Sequence, residues 1–227
     1  MFNNYAYKEY NTNNLNSRIN SANKVELVQL IYENIAQRLY VAKEVFINLL
    51  GFKDPLKSKR YKDVKYIDVH IMSSEKSSAG DEIVTFKYKM MDTKDKVVSM
   101  QIRNDLTKST LTPSHEYFHI LQNSYTMFKN RWYSESTARW SESIFKKGVA
   151  KQDNLPNSQK QIKELFDKTY DAEGIFGKLT YLCDTNNGVF KREERVNDIR
   201  AVFKLEVQVR KPPFLVQRLF CKHCGSK

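Results

Sequence analysis

The hydrophobic period of the chain changes near Asn104, and this change constrains the fold more than any other feature. Three segments before it alternate apolar and polar residues with a period of two, namely residues 64–72, 82–90 and 97–102. Such alternation is typical of strands with one face in water, and it favours antiparallel pairing. After Asn104, apolar residues recur every three to four positions, as they do on helices. The sequence therefore predicts an α+β fold, with a small mixed or antiparallel sheet ahead of a packed helical part.

The composition of the 227-residue chain divides it into an arm, one domain and a tail. The first residues are Asn-rich and polar, and the last ones are basic, with no pattern that joins them to the rest. Between them, a helical pattern ends at Gly51 and precedes the predicted sheet. We expect a flexible polar arm (1–23), a domain (24–190, with helix and sheet over 24–110 and helices over 111–190), and a basic tail of unknown role (191–227).

Three helices are predicted after the sheet. Thr112 is expected as the N-cap of the first, with Pro113 at the first helical position. The second is expected over residues 134–147. The third begins after Ser158, whose spacing to Gln161 is that of a capping box, and its apolar pattern continues to residue 170.

The stretch "HEYFH" (residues 115–119) lies in the first of these predicted helices. On a helix, His115 and His119 lie on one face, so both imidazoles can reach one metal ion. Glu116 lies beside that face and can reach a water on the ion without binding the ion itself. Two neutral nitrogens and one neighbouring carboxylate are the arrangement that zinc-dependent hydrolysis requires.

A catalytic zinc needs a third protein ligand, and the next predicted helix offers a carboxylate. Glu135 follows His119 closely enough for one helix to end and a second to pack against it. Ala138 shares a helical face with Glu135, and its small side chain would let the two helices approach. Glu142, two turns further on, is the alternative third ligand or an acceptor that holds a histidine ring.

Together, "HEYFH" and the following "WYSESTARW" resemble the gluzincins, the zinc metallopeptidases with a glutamate ligand on the helix after HExxH. Trp132, Glu135 and Ala138 match the W-x-x-E-x-x-A frame of aminopeptidase-like members. The resemblance covers roughly residues 60–150, and it implies a zincin-like fold. It also implies one zinc ion per chain on His115, His119 and Glu135, the general base at Glu116, and a peptide or protein substrate.

The residue that would stabilise the oxyanion is left open by the sequence. Tyr133, Tyr170 and Tyr181 are candidates, although packing explains most of the 13 tyrosines of the chain. His70 could face the substrate from its strand, but a surface imidazole is the simpler interpretation on a strand with one wet side.

Two other function classes remain as alternatives. A zincin-like module that binds zinc without turnover is one, because Ser136 stands where the resembled enzymes usually have glycine. The other is a nucleic-acid-binding protein, because the net charge is +12. Many lysines lie next to acidic residues and no nucleic-acid-binding motif is present, so a lysine-rich surface is the preferred interpretation.

The three cysteines do not make a disulfide framework. Cys183, Cys221, Cys224 and His223 could gather as a structural zinc site, but a thiol-bearing terminus is the simpler interpretation. No apolar run approaches the roughly 20 residues of a membrane span, and no signal peptide is visible. We therefore expect a cytoplasmic protein, or a secreted one if the natural N-terminus lies further upstream.

Overall fold

A computed structural model describes residues 34–86, 95–106, 110–126, 130–146 and 150–183. This part of the chain has the predicted α+β character, with a three-stranded mixed sheet and several helices. It divides into two compact units, one of residues 34–44 and 53–120, the other of residues 45–52 and 121–183. Three predicted segments lie outside the described residues. They are the polar arm, residues 24–33 of the first predicted helix, and the basic tail with Cys221, His223 and Cys224.

The first predicted helix is present as helix α1, residues 34–43. Its apolar positions Ile35, Leu39 and Ala42 are buried, as their spacing predicts. The helix continues into a π-helical turn, Glu44–Leu49, in which Leu50 N donates to Val45 O at 2.9 Å. Gly51 ends the run with a φ of 74°, a left-handed conformation that favours glycine.

The sheet consists of β1 (Tyr66–Met72), β2 (Ser78–Phe86) and β3 (Asp95–Arg103), in the order β1-β3-β2. Strand β3 pairs in parallel with β1 and antiparallel with β2. Val98, Met100 and Ile102 point to one side of β3 and are fully buried. The sheet is therefore mixed. The sequence predicted either a mixed or an antiparallel sheet, and the antiparallel alternative is wrong.

The second strand also begins earlier than its alternation predicts. The alternation predicts a strand over residues 82–90, but β2 already includes Ser78. The register shifts between Ala79 and Ile83, which is the mark of a β-bulge. Such a bulge interrupts the period-two pattern, so the residues before it do not look like a strand in the sequence. Residues 87–90 of the predicted strand lie outside the described part.

Helix α2 (Thr112–Tyr125) carries the HEYFH stretch. Thr112 is the first residue of the helix instead of the predicted N-cap, and the Thr110 hydroxyl oxygen accepts the Thr112 N–H at 3.3 Å. All residues from Pro113 to Phe118 are buried, which is more than one full turn of helix. His115 and Glu116 are thus buried along with the apolar residues around them.

The second unit contains α3 (Arg131–Glu142), α4 (Gln159–Phe166) and α5 (Glu173–Cys183). Asn130 caps α3 by accepting the Trp132 N–H, so this helix begins before the predicted residue 134. One bond of the predicted capping box of α4 is present, since Ser158 accepts the Gln161 N–H at 3.3 Å, but the Gln161 side-chain oxygen accepts the Asn157 N–H at 2.9 Å instead of the Ser158 N–H. Helix α4 ends at Phe166, and residues 170–172 form a separate 3₁₀ turn instead of continuing it.

Within the described ranges, no helix is both long enough and apolar enough to cross a lipid bilayer.

Candidate metal centre

The two histidines of α2 direct their ring nitrogens towards each other. The Nε2 atoms of His115 and His119 are 3.0 Å apart, and the two rings meet at an interplanar angle of 84°. One helical turn separates the residues, and this brings both rings to the same face of α2. His115 is buried and His119 is half-buried. The pair predicted from the spacing is therefore formed by the folded chain.

Glu135 of α3 joins this pair. One ligand atom from each of His115, His119 and Glu135 lies within 4.8 Å of the other two. The three residues form a group that could hold a metal ion, and they are the three that the sequence assigns as ligands. Ala138, one turn further on along α3, is completely buried.

The donor set and its spacing fit a zinc ion. Two imidazoles and one carboxylate are a known zinc-ligand set, in which a fourth position stays open for water or substrate. Two nitrogens bound at 2.0–2.1 Å in a tetrahedron are about 3.3 Å apart, close to the observed separation of the two Nε2 atoms. The same separation also suits a hydrogen bond between the two Nε2 atoms, with the donor set by the tautomers of the two rings.

Glu116, the predicted general base, is buried on α2 with 6% of its surface exposed. It follows His115 directly, so its side chain leaves the helix at an angle to the histidine face. Burying a carboxylate is costly unless it is paired, and Glu116 does make polar interactions in the folded chain.

Glu142, the alternative ligand, is buried at the end of α3 and is paired with cations. Its Oε2 lies 2.9 Å from Arg139 Nη1 and 3.2 Å from Lys146 Nζ. Arg139 also approaches Glu173 of α5, with 3.6 Å between Nε and Oε2. The carboxylate charge of Glu142 is thus already balanced, whereas Glu135 is the carboxylate found beside the two histidines.

The three candidate oxyanion donors lie in different surroundings. Tyr133 packs against Trp132 and Phe176, and burial raises the pKa of its hydroxyl to about 12. Being two residues from Glu135, it faces a different side of α3. Tyr170 and Tyr181 are about half exposed, and the Lys178 amine lies 5.2 Å from the centre of the Tyr181 ring.

His70 is paired instead of being a free surface imidazole. Its Nε2 lies 2.7 Å from Oδ2 of Asp68, which is buried. The hydrogen bond to Asp68 raises the pKa of His70, burial opposes this, and the charge of Asp68 adds to the rise. The D-x-H spacing on a predicted strand was the sequence signal for this pair, since residues two apart on a strand share a face.

Two polar residues next to the metal-ligand group were missed by the sequence analysis. Gln122 and Thr137 are buried, and Gln122 Nε2 lies 2.6 Å from Thr137 Oγ1. Gln122 follows His119 by three positions, which places it on the histidine face of α2. That spacing was a usable signal, but its partner on α3 could not be identified from the sequence.

A comparison of the chain with protein-family models, with curated proteins and with solved structures found no match.

Proposed function

We propose that the chain is a zinc metallopeptidase of the gluzincin class with a zincin-like fold, and that Glu116 activates the attacking water. One observation carries the proposal: the ligand atoms of His115, His119 and Glu135 lie within 4.8 Å of one another. Glu116, buried next to His115, supports the hydrolytic part of the proposal. The substrate class is a peptide or protein.

In this proposal His115 and His119 would hold the zinc ion through neutral imidazole nitrogens, and Glu135 would hold it through its carboxylate. The bound zinc would lower the pKa of a coordinated water to about 7 and polarise the substrate carbonyl. The Glu116 carboxylate takes a proton from the water as the new C–O bond forms at the carbonyl carbon. It then gives this proton to the leaving amine nitrogen as the C–N bond breaks, so the carboxylate is regenerated.

Hydrolysis of an unfolded, fluorescently labelled polypeptide by the zinc-loaded protein tests the proposal. Glu116→Gln keeps the size of the side chain but removes the base, so it should retain zinc and lose at least about 100-fold in rate. Glu164→Gln, an exposed glutamate of α4, is the control and should cleave like the parent. A Glu116→Gln variant that cleaves as fast as the parent would show that the base is assigned wrongly.

The same assay distinguishes a peptidase from the alternative function, a zinc-binding module without turnover. Zinc binding by the parent with no cleavage of any unfolded polypeptide would support that module and contradict a peptidase.

A further inference from the structure

Gln122 links helix α2 to helix α3 one turn beyond the histidine pair. His115, His119 and Gln122 are spaced by four and then three residues, so they form one stripe along α2. Gln122 is buried, with 5% of its surface exposed. Its side-chain nitrogen lies 3.0 Å from Ser134 O and 2.6 Å from Thr137 Oγ1, both on α3.

Both side-chain amide hydrogens of Gln122 have an acceptor in this link. The amide nitrogen of Gln122 has two hydrogens, and two acceptors lie within reach, so both hydrogens are used. The Thr137 hydroxyl accepts one of them and donates its own hydrogen to Tyr133 O at 2.6 Å. A buried amide with both hydrogens bonded holds its partners in one arrangement, because any shift would leave a buried donor unpaired.

The two acceptors on α3 lie on either side of the metal-ligand glutamate. Ser134 directly precedes Glu135, and Thr137 follows it by two positions. A side chain bonded to both positions therefore ties the part of α3 around Glu135 to the stripe of α2 that carries the histidines.

We propose that Gln122 and Thr137 are positioning residues, which hold Glu135 at the distance from His115 and His119 that a metal ion requires. This inference rests on the proposed function, because it assigns the link a role in metal binding. A link with a structural role alone would change the stability of the fold and leave the intrinsic metal affinity of the folded protein unchanged.

The test compares variants that differ by single atoms or groups. Thr137→Val removes the hydroxyl with nearly the same shape, Thr137→Ser keeps it, and Gln122→Met removes both amide donors. The matched control is Thr180→Val in α5, because the Thr180 hydroxyl is also buried and also donates to a backbone oxygen four residues earlier, Phe176 O at 2.7 Å. Three quantities are measured on the full chain: zinc affinity by chelator competition, the visible spectrum of the cobalt-loaded protein, and unfolding in urea without metal.

Thr137→Val and Gln122→Met should each weaken zinc binding by about 10- to 100-fold, the range for groups that orient metal ligands, and should alter the cobalt spectrum. Thr137→Ser should bind like the parent. Thr180→Val should lose stability and keep the parent affinity and spectrum. The double variant of Gln122→Met and Thr137→Val should bind no more weakly than Gln122→Met alone, because the first change already removes the link.

A Thr137→Val protein with a zinc affinity within twofold of the parent and an unchanged cobalt spectrum would overturn the inference. A loss of affinity in Thr180→Val as large as in Thr137→Val would overturn it as well. If Gln122→Met does not fold, the near-isosteric Thr137→Val decides the matter. A parent chain that binds neither zinc nor cobalt would refute the proposed function itself, and the inference with it, before any variant is compared.

Discussion

Two glutamates on α3 have different surroundings, and this difference favours Glu135 over Glu142 as a metal ligand. Glu135 lies with two imidazoles, whereas Glu142 lies between Arg139 and Lys146. A carboxylate already neutralised by two cations gains less from a metal ion than one facing imidazole nitrogens. We therefore propose Glu135 as the third ligand and keep Glu142 as the alternative that a variant can test.

Glu135→Ala should weaken zinc binding more than about 100-fold, beyond the usual effect of a residue that only orients a ligand. Glu142→Gln should lose stability, because it breaks two ion pairs, but it should keep its zinc. Equilibrium dialysis with zinc measures both. If Glu135→Ala keeps its zinc and Glu142→Gln loses it, the assignment of the two residues is reversed.

The Asp68–His70 pair makes a second residue-scale prediction, about pH. The folded pKa of His70 is raised, mainly by its hydrogen bond to Asp68. The stabilising effect of the pair is therefore fully present below the unfolded pKa of about 6.5 and is lost as the pH rises through the folded pKa. Asp68→Asn should lower the pKa of His70, as measured by NMR titration of its ring protons. Asp63→Asn, at an exposed residue paired with Lys96, should leave it unchanged, and an equal shift in both variants would refute the assigned cause.

For individual residues, the group of His115, His119 and Glu135 could be predicted because it depends on the spacing of residues that are close in sequence. Helical spacing places His115 beside His119, and the distance to Glu135 allows a turn between two helices. The contact between Gln122 and Thr137 could not be predicted in the same way. It depends on how α2 and α3 are aligned, and the residue spacing on either helix alone does not contain that alignment.

At the scale of secondary-structure elements, β1 pairs in parallel with β3, and the hydrophobic period of the sequence could not predict this strand direction. Alternation records which face of a strand is buried, but not the direction of its neighbour. The same limit explains the early start of β2, where the bulge between Ala79 and Ile83 breaks the pattern. Helix α2, with an apolar pattern and a proline in its first turn, lies close to its predicted position.

Helix α5 was not predicted, and two of its residues explain why. Gly174 and Gly177 lower the helix propensity of the segment, so its sequence is weak evidence for a helix. Both glycines are buried where the chain at residues 151–153 passes over α5. Asp153 N donates to Gly174 O at 3.0 Å, which fixes that crossing. The glycines are required by a contact distant in sequence.

Substitution by alanine should change the stability of the protein by different amounts at the two glycines. A Cβ at Gly177 would overlap the backbone oxygen of Lys151, whereas a Cβ at Gly174 would overlap the carboxylate of Asp153, which can rotate away. Gly177→Ala should therefore destabilise the protein by about 1–3 kcal/mol, and Gly174→Ala by less. Urea unfolding measures both. A larger loss in Gly174→Ala would show that the close backbone approach is not what requires glycine at position 177.

For the whole molecule, the net charge of +12 is the main feature outside the metal group. Several lysines in the described part are paired with carboxylates, among them Lys65 with Asp95, Lys96 with Asp63, and Lys160 with Glu164. Such pairs are what a lysine-rich surface with interspersed acids predicts for the described part. A nucleic-acid-binding surface would be recognised by binding that falls steeply with salt.

The central claim is that the chain holds one zinc ion on the His115, His119 and Glu135 group. Zinc per chain, measured by elemental analysis after purification without chelator and after zinc has been offered, tests it most directly. We predict about one zinc in the parent and in His70→Ala, the control histidine, and none in His115→Ala. No zinc in the parent, or as much zinc in His115→Ala as in the parent, would contradict the account. The positive charge of the chain would then be the better guide to its function.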